Sequence, residues 1–227
     1  GSKMRQVVSL RRGSRRVDFH TTVDWVESHK LLKVNFPVDY RNEDALHEIQ
    51  FGHVRRPTHK NRPYDADRFE VPQQKWTALT EEGRGFAVLN DCKYGVNVAV
   101  NSINLTLLKS AVAPDMTADK GTQTFTYAIT FWHDSFMNCD VVQQGYQLNV
   151  PVVTESGSAG TRSLFQVEPA NVIIETVKPA EDGSGDVVIR FYESKRTATR
   201  CILSTTLAVS KAIWTDMCER TASLASC

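Results

Sequence analysis

A chain of 227 residues has room for one large β domain or two small ones, at about 150 residues per domain. Lys and Arg total 27 against 26 for Asp and Glu, which leaves no broad basic field to hold nucleic acid or an anionic membrane. With 41% hydrophobic and 23% charged residues the composition is that of a soluble globular protein with a sizeable core, and no run approaches the ~20 apolar residues of a membrane span.

Residues 1–4, Gly-Ser-Lys-Met, are read as a tag remnant and set aside from the fold, and nothing near them resembles an apolar signal segment. Arg5 to Leu10 and Val17 to Trp25 alternate apolar and polar positions. Leu31 to Val38 follows a turn at Ser28-His29-Lys30, so the chain opens as a strand meander. Ala45 to Arg55 continues as a strand, and Arg56 to Asp65, with two prolines, reads as a long surface loop. Further strands are expected at Phe69 to Leu79, Gly85 to Asn90 and Ile103 to Leu108, with turns at 81–85 and 93–95. After a second loop, 109–121, Thr122 to Trp132 is the clearest strand, with both faces expected to be covered. Asp140 to Leu148 is the one place whose spacing admits a short helix. Small polar residues at 154–162 form a linker. Beyond it, Leu164 to Val167, Asn171 to Val177, Val187 to Tyr192, Arg200 to Leu207 and Ala212 to Thr215 recur at a regular pitch, with a hairpin turn at Asp182-Gly183-Ser184-Gly185. The pattern is all-β: a large antiparallel sandwich over 5–153, the linker, and a smaller sandwich over 163–227.

The chemistry-bearing residues argue mostly by exclusion. Cys92, Cys139, Cys201, Cys218 and Cys227 are an odd, scattered set without C-x-x-C or metal-ligand spacing, and are expected to be reduced thiols of a cytoplasmic protein. His20, His29, His47, His53, His59 and His133 contain no His-x-Asp or His-x-x-x-His pair, so no metal site is expected and these side chains are read as structural or surface groups. Neither a Gly-x-Ser-x-Gly elbow nor a phosphate-binding Gly-rich loop is present. Asp18, Asp24, Asp39, Glu48, Glu70 and Asp91 lie on or near strands, where solvated carboxylates are the rule, so a self-sufficient glycosidase built on two of them is the weakest reading. Trp25, Trp76, Trp132 and Trp214 are assigned to core rather than to sugar platforms. Asn104-Leu105-Thr106 is taken as a chance glycosylation triplet on a strand. The strongest binding-like cluster is Asn90-Asp91-Cys92-Lys93-Tyr94-Gly95, an acceptor, a cation and an aromatic ring after an apolar strand. It suits either sugar contacts or a strand end closed by an Asx-type turn.

Several runs occur together: Gly13-Ser14-Arg15-Arg16-Val17-Asp18-Phe19, Asp24-Trp25, His29 to Val34, and Phe36-Pro37-Val38-Asp39. Glu48 to Gly52, Arg56-Pro57-Thr58-His59, Arg68 to Val71, Lys75-Trp76 and Leu89 to Gly95 continue the series, which reaches Phe125 to Ala128 and His133. In this order they resemble the glycoside hydrolase family 38 α-mannosidases of the cytosolic and bacterial type. Gln73-Gln74 and Phe131-Trp132 depart from that pattern. The resemblance implies a C-terminal region: part of a large supersandwich of the galactose-mutarotase kind, truncated at its N-terminus, then a smaller sandwich. It also implies a partner, an N-terminal barrel of the same polypeptide that carries a divalent metal (zinc, or cobalt) and an Asp nucleophile for retaining cleavage of α-mannoside oligosaccharides. No cofactor and no catalytic residue then falls within this chain. Arg84, Asp91, Lys93 and Tyr94 are the residues that would line the substrate side. A truncated sandwich is expected to expose a sheet edge that could pair with a second copy, giving a homo-oligomer. An independent carbohydrate-binding module is the alternative.

Overall fold

The computed structural model describes residues 1–158 and 160–224, and divides the chain into two compact units, 1–153 and 154–227. The large unit opens with β1 (Lys3–Leu10), β2 (Val17–Trp25) and β3 (Leu31–Pro37). It continues through β4 (Asp44–Ile49), β5 (Gly52–Pro57), a short helix α1 (Pro63–Asp67), β6 (Val71–Pro72), β7 (Trp76–Glu81) and β8 (Arg84–Asn90). Then come β9 (Gly95–Ala99), β10 (Ser102–Lys109), β11 (Gly121–His133), a 3-10 turn (Phe136–Asn138) and α2 (Val141–Asn149). A seven-stranded antiparallel sheet runs β1-β2-β11-β8-β7-β4-β5 and faces a four-stranded sheet, β3-β10-β9-β6.

Strand alternation builds the core between the sheets. Phe125 and Tyr127 of β11, Phe86 and Val88 of β8 and Leu79 of β7 meet Ile103, Leu105 and Val96 of the smaller sheet. The opposite face of β11 is covered too. Ala128, Thr130 and Trp132 are buried, as are Val141 and Val142 of α2, so the helix that the sequence admits forms there, one residue downstream. Gly85 has to be glycine, since a Cβ would lie 2.0 Å from Cζ2 of Trp132.

The structure corrects several expectations. Residues 45–55 are two strands, because Phe51 adopts a left-handed φ of 58° and turns the chain between Ile49 and Gly52. Residues 69–79 are also two strands, in different sheets. Pro72 closes β6, and Gln73 and Gln74 then carry the chain across, donating from their backbone N–H groups to Tyr94 and Glu48 carbonyls. The turn at 93–95 leads into β9, a strand that the sequence pattern hides. Lys3 and Met4, set aside with the tag remnant, pair with Asp24 and Val23 inside β1.

The small unit holds β12 (Phe165–Glu168), β13 (Val172–Pro179), β14 (Val187–Glu193), β15 (Ile202–Thr205), β16 (Ile213–Thr215) and β17 (Thr221–Leu224). They pair antiparallel as β12-β15, β13-β14 and β16-β17. Among its described residues Val172 is the only buried apolar side chain. Trp25, Trp76 and Trp132 are core, but Trp214 is 49% exposed with one edge on Phe191, because this unit offers little to bury it. Cys92, Cys139, Cys201 and Cys218 take part in no disulfide among the described residues, and Cys227 lies outside them.

Candidate functional site

The Asn90 to Gly95 run forms a tight corner where β8 ends and the chain crosses to β9. Asn90 is fully buried and builds it. Its Nδ2 donates to the Gln74 carbonyl (2.7 Å), its Oδ1 accepts from Lys93 N (2.6 Å), and its carbonyl accepts from Nδ2 of Asn149 on α2 (2.9 Å). Asp91 extends the β8–β11 ladder with its side chain: its N–H donates to the Thr126 carbonyl (3.1 Å) while its Oδ2 accepts from Thr126 N (2.9 Å). Its Oδ1 is buried without a hydrogen-bond partner. Burial, with Asp91 next to it, pushes the Cys92 thiol up to about 11, which makes it a poor nucleophile. The Lys93 ammonium lies 4.5 Å from the centre of the Phe125 ring. The ring of Tyr94 is free and 55% exposed.

Arg84 does not join this group. It stands at the other end of β8, about 20 Å from Asn90 at 3.3–3.4 Å per residue. There its guanidinium bonds Glu81 (2.6 Å) and the Asp39 carbonyl (3.0 Å) and covers the Tyr40 ring. Asp91, Lys93 and Tyr94 do sit together, but Asp91 and Lys93 spend their side chains on the protein itself. Only Tyr94 presents an unengaged group.

The sequence reading missed Gln73, Lys75 and Asn149, which hold the corner from behind. Gln73 Nε2 donates to the Lys93 carbonyl (2.9 Å). Lys75 N donates to the carboxylate of Glu48 (2.5 Å) and its Nζ lies 3.3 Å from the same group. The departure at Gln73-Gln74 was the available signal, since two amides beside a strand end are suited to satisfy backbone groups at a crossing. Glu48 and Asp18 overturn the expectation of solvated carboxylates, as both are buried, paired with Lys75 and Arg16. Burial raises Glu48 above the usual carboxylate range, against the pull of Lys75. These two acids lie four strand spacings apart, about 19 Å, too far for a glycosidase pair at 5–10 Å. Among the described residues no three His, Cys, Asp or Glu side chains gather around a point that a metal could occupy. No helix among them is long and apolar enough to cross a membrane.

Comparison with known proteins places this geometry. Residues 1–117 match the family described as the glycosyl hydrolases family 38 C-terminal domain, and residues 171–225 match the family 38 C-terminal beta sandwich domain. The chain therefore belongs to glycosyl hydrolase family 38, within its C-terminal region. It is 43% identical over 225 residues to human alpha-mannosidase 2C1, covering 96% of this chain and 22% of that protein. Alpha-mannosidase G of Dictyostelium discoideum is 41% identical over 201 residues (86% and 18%), and the Saccharomyces cerevisiae alpha-mannosidase 35% over 214 residues (86% and 20%). The chain thus spans about a fifth of the length of these relatives. An alpha-mannosidase structure from Enterococcus faecalis superposes with a TM-score of 0.85 at 17% identity, over 96% of this chain and 26% of that one, and shares the all-β fold.

Proposed function

We propose that this chain is the non-catalytic C-terminal β region of a retaining α-mannosidase, which folds against a catalytic barrel of the same polypeptide and helps to shape its cleft. The observation that carries the proposal is the pair of family 38 C-terminal matches in series, on a chain that covers only 22% of a relative's length. On this reading the zinc or cobalt and the nucleophilic Asp belong to the barrel, the protein works in the cytoplasm, and nothing in this chain moves a proton on the substrate. Tyr94 meets the sugar through its exposed ring, while Asp91 and Lys93 hold the corner in place. The apolar surface of the small unit and the free outer edge of β1 are what the rest of the polypeptide covers, and both support the reading.

The test is hydrolysis of an aryl α-mannoside, with zinc or cobalt added, by this chain and by the full-length protein. Turnover by the full-length protein alone is expected, with Tyr94→Ala in that protein raising KM more than it lowers kcat. Turnover by the isolated chain overturns the assignment. Calorimetric binding of α-mannose oligosaccharides by the isolated chain, lost in Tyr94→Ala, replaces it with an independent carbohydrate-binding module, a reading that the exposed Tyr94 ring also admits.

A further inference from the structure

The pattern Arg-Arg-x-Ser/Thr occurs twice, at Arg11-Arg12-Gly13-Ser14 and at Arg55-Arg56-Pro57-Thr58. Arginines two and three residues before a hydroxyl are what a protein kinase with an acidic substrate groove selects by charge. The fold separates the two copies. Thr58 follows β5 and is 7% exposed, its Oγ1 donating to the Asn42 carbonyl (2.7 Å) and its N–H to the Glu43 carbonyl (2.8 Å). Arg56 is occupied as well, donating to the Pro72 carbonyl (3.0 Å). The Thr58 hydroxyl is out of reach unless this end of the sheet unfolds.

Ser14 closes the turn between β1 and β2, at the edge of the seven-stranded sheet. Its N–H donates to the Arg11 carbonyl (3.0 Å), and Gly13, at a φ of 79°, makes the bend with nothing within 4 Å of the place a Cβ would take. Ser14 Oγ accepts from the Arg16 N–H (3.0 Å), and its own hydroxyl hydrogen goes to none of the described residues. Two hydrogen bonds thus hold the bend, and Leu10 before it is 65% exposed, so extending the segment uncovers little. The charge around Ser14 is unanswered. Arg11, Arg12 and Arg15 are exposed and form no ion pair among the described residues. Asp18 is the first acid in the chain, and Arg16 bonds both its oxygens (2.7 and 3.3 Å) while its Nη1 reaches the Gln144 carbonyl (3.1 Å). Three free guanidinium groups about one hydroxyl suit a phosphate, which brings about −1.5 to −2 charges and three acceptor oxygens.

We propose that Ser14 is a phosphorylation site for an arginine-directed serine kinase, and that Arg11, Arg12 and Arg15 hold the phosphate once it is attached. Ser14 Oγ attacks the γ-phosphorus of a nucleoside triphosphate; the new O–P bond forms as the bond to the β-phosphate oxygen breaks, the nucleoside diphosphate leaves, and the hydroxyl proton passes to the kinase's catalytic carboxylate. The modified turn exchanges an unpaired basic tip for a closed set of ion pairs.

The experiment treats the full, folded chain with magnesium ATP and a serine kinase selective for arginine two and three residues before its acceptor, and reads the product by intact mass and fragmentation. A single phosphate on Ser14 is expected, lost in Ser14→Ala. Arg11→Gln and Arg12→Gln alter exposed side chains, fold normally by circular dichroism, and each lower the kinase's kcat/KM for the chain by about tenfold or more. Arg5→Gln, on exposed β1, leaves it unchanged. In the product the ³¹P shift titrates with a second pKa below the value of about 6 for free phosphoserine, since the guanidinium groups favour the dianion. Phosphate on Thr58, labelling that survives Ser14→Ala, or a folded chain that stays unlabelled while a peptide of residues 8–19 is labelled overturns the site. A ³¹P titration that is not lowered overturns the role given to the arginines.

Discussion

The two units use the same element, the antiparallel strand pair, with opposite economies. In the large unit every central strand has two neighbours and at least one face on the shared core, so that Leu79, Leu89, Ile103 and Leu105 are fully buried, each contributing about 1.5–3 kcal/mol. The small unit has three separate two-stranded pairs, and Ile202, Val209, Trp214 and Met217 are each at least 49% exposed. A lone strand pair is marginal in water, so polar closure has to do the ordering there. The lesson is that strand content says little about stability; the number of covered faces decides it.

The sharpest way to break this contrast is one substitution made in both units. Gly85→Ala puts a methyl group into the indole of Trp132, and the surrounding β8–β11 ladder cannot yield. A loss of about 3 kcal/mol is expected from the urea midpoint of the large unit. Gly183→Ala in the turn before β14 meets nothing within 4 Å and costs only the strain of a positive φ, about 1 kcal/mol. Equal effects would mean that the large unit is packed no more tightly than the small one.

Acidity distinguishes the units next. Burial, with Arg56 nearby, holds the His47 imidazole down to about 3, against about 6.5 in the unfolded chain. Below pH 6.5 the unfolded chain takes up a proton that the folded large unit refuses. Stability therefore falls as the pH falls, by about 1.4 kcal/mol per unit. Between pH 6.5 and 5 the carboxylates Asp65 and Glu70, both held below their ordinary values, add nothing to this slope, whereas Glu48, raised by burial, opposes it, so the part that belongs to His47 is the part that its substitution removes. His47→Gln is expected to flatten it, as read from urea midpoints against pH.

How much of this was legible from the residues follows the same division. Strict alternation, as in β2 and β11, exposes a strand to inspection, and Gly83 and Asp182–Gly185 mark their hairpins because positive φ needs special residues. Where an unusual residue takes an unusual φ, as Phe51 does, or where the chain changes sheet, as at Gln73-Gln74, local pattern gives the wrong break. The corner at Asn90 to Gly95 was visible as a cluster. Its internal hydrogen bonds were not, since Gln73, Thr126 and Asn149 arrive from distant segments. Arg84 shows the converse: six positions along a strand is near in sequence and about 20 Å away in space.

Polar closure of the small unit has its own test. The Glu193 carboxylate accepts from the backbone N–H of Lys195 (2.8 Å) and Thr197 (2.9 Å) and from Nδ2 of Asn171 (2.7 Å). Partial burial opposes its charge, but these donors hold it below the usual carboxylate range. Glu193→Ala leaves them unanswered around Arg196, whose φ is 62°. A loss of about 2 kcal/mol is expected in the small unit alone, seen as faster amide exchange over 194–199 with unchanged protection in β8 and β11.

The smallest expected effect is the one that depends most on context. Ile202 is 67% exposed on β15, and Ile202→Thr keeps the β-branched shape while removing apolar surface. In this chain the change in stability should stay within about 0.5 kcal/mol, because nothing is uncovered. In the full-length protein the same substitution removes a methyl-rich surface that the proposed barrel contact would bury, and a loss of about 1 kcal/mol, with a lower thermal midpoint, is expected. Comparing the two proteins by calorimetry separates a surface that is merely apolar from one that is an interface. If the loss is the same small value in both, the exposed strands of the small unit face solvent in the whole protein as well, and its marginal stability is its working state.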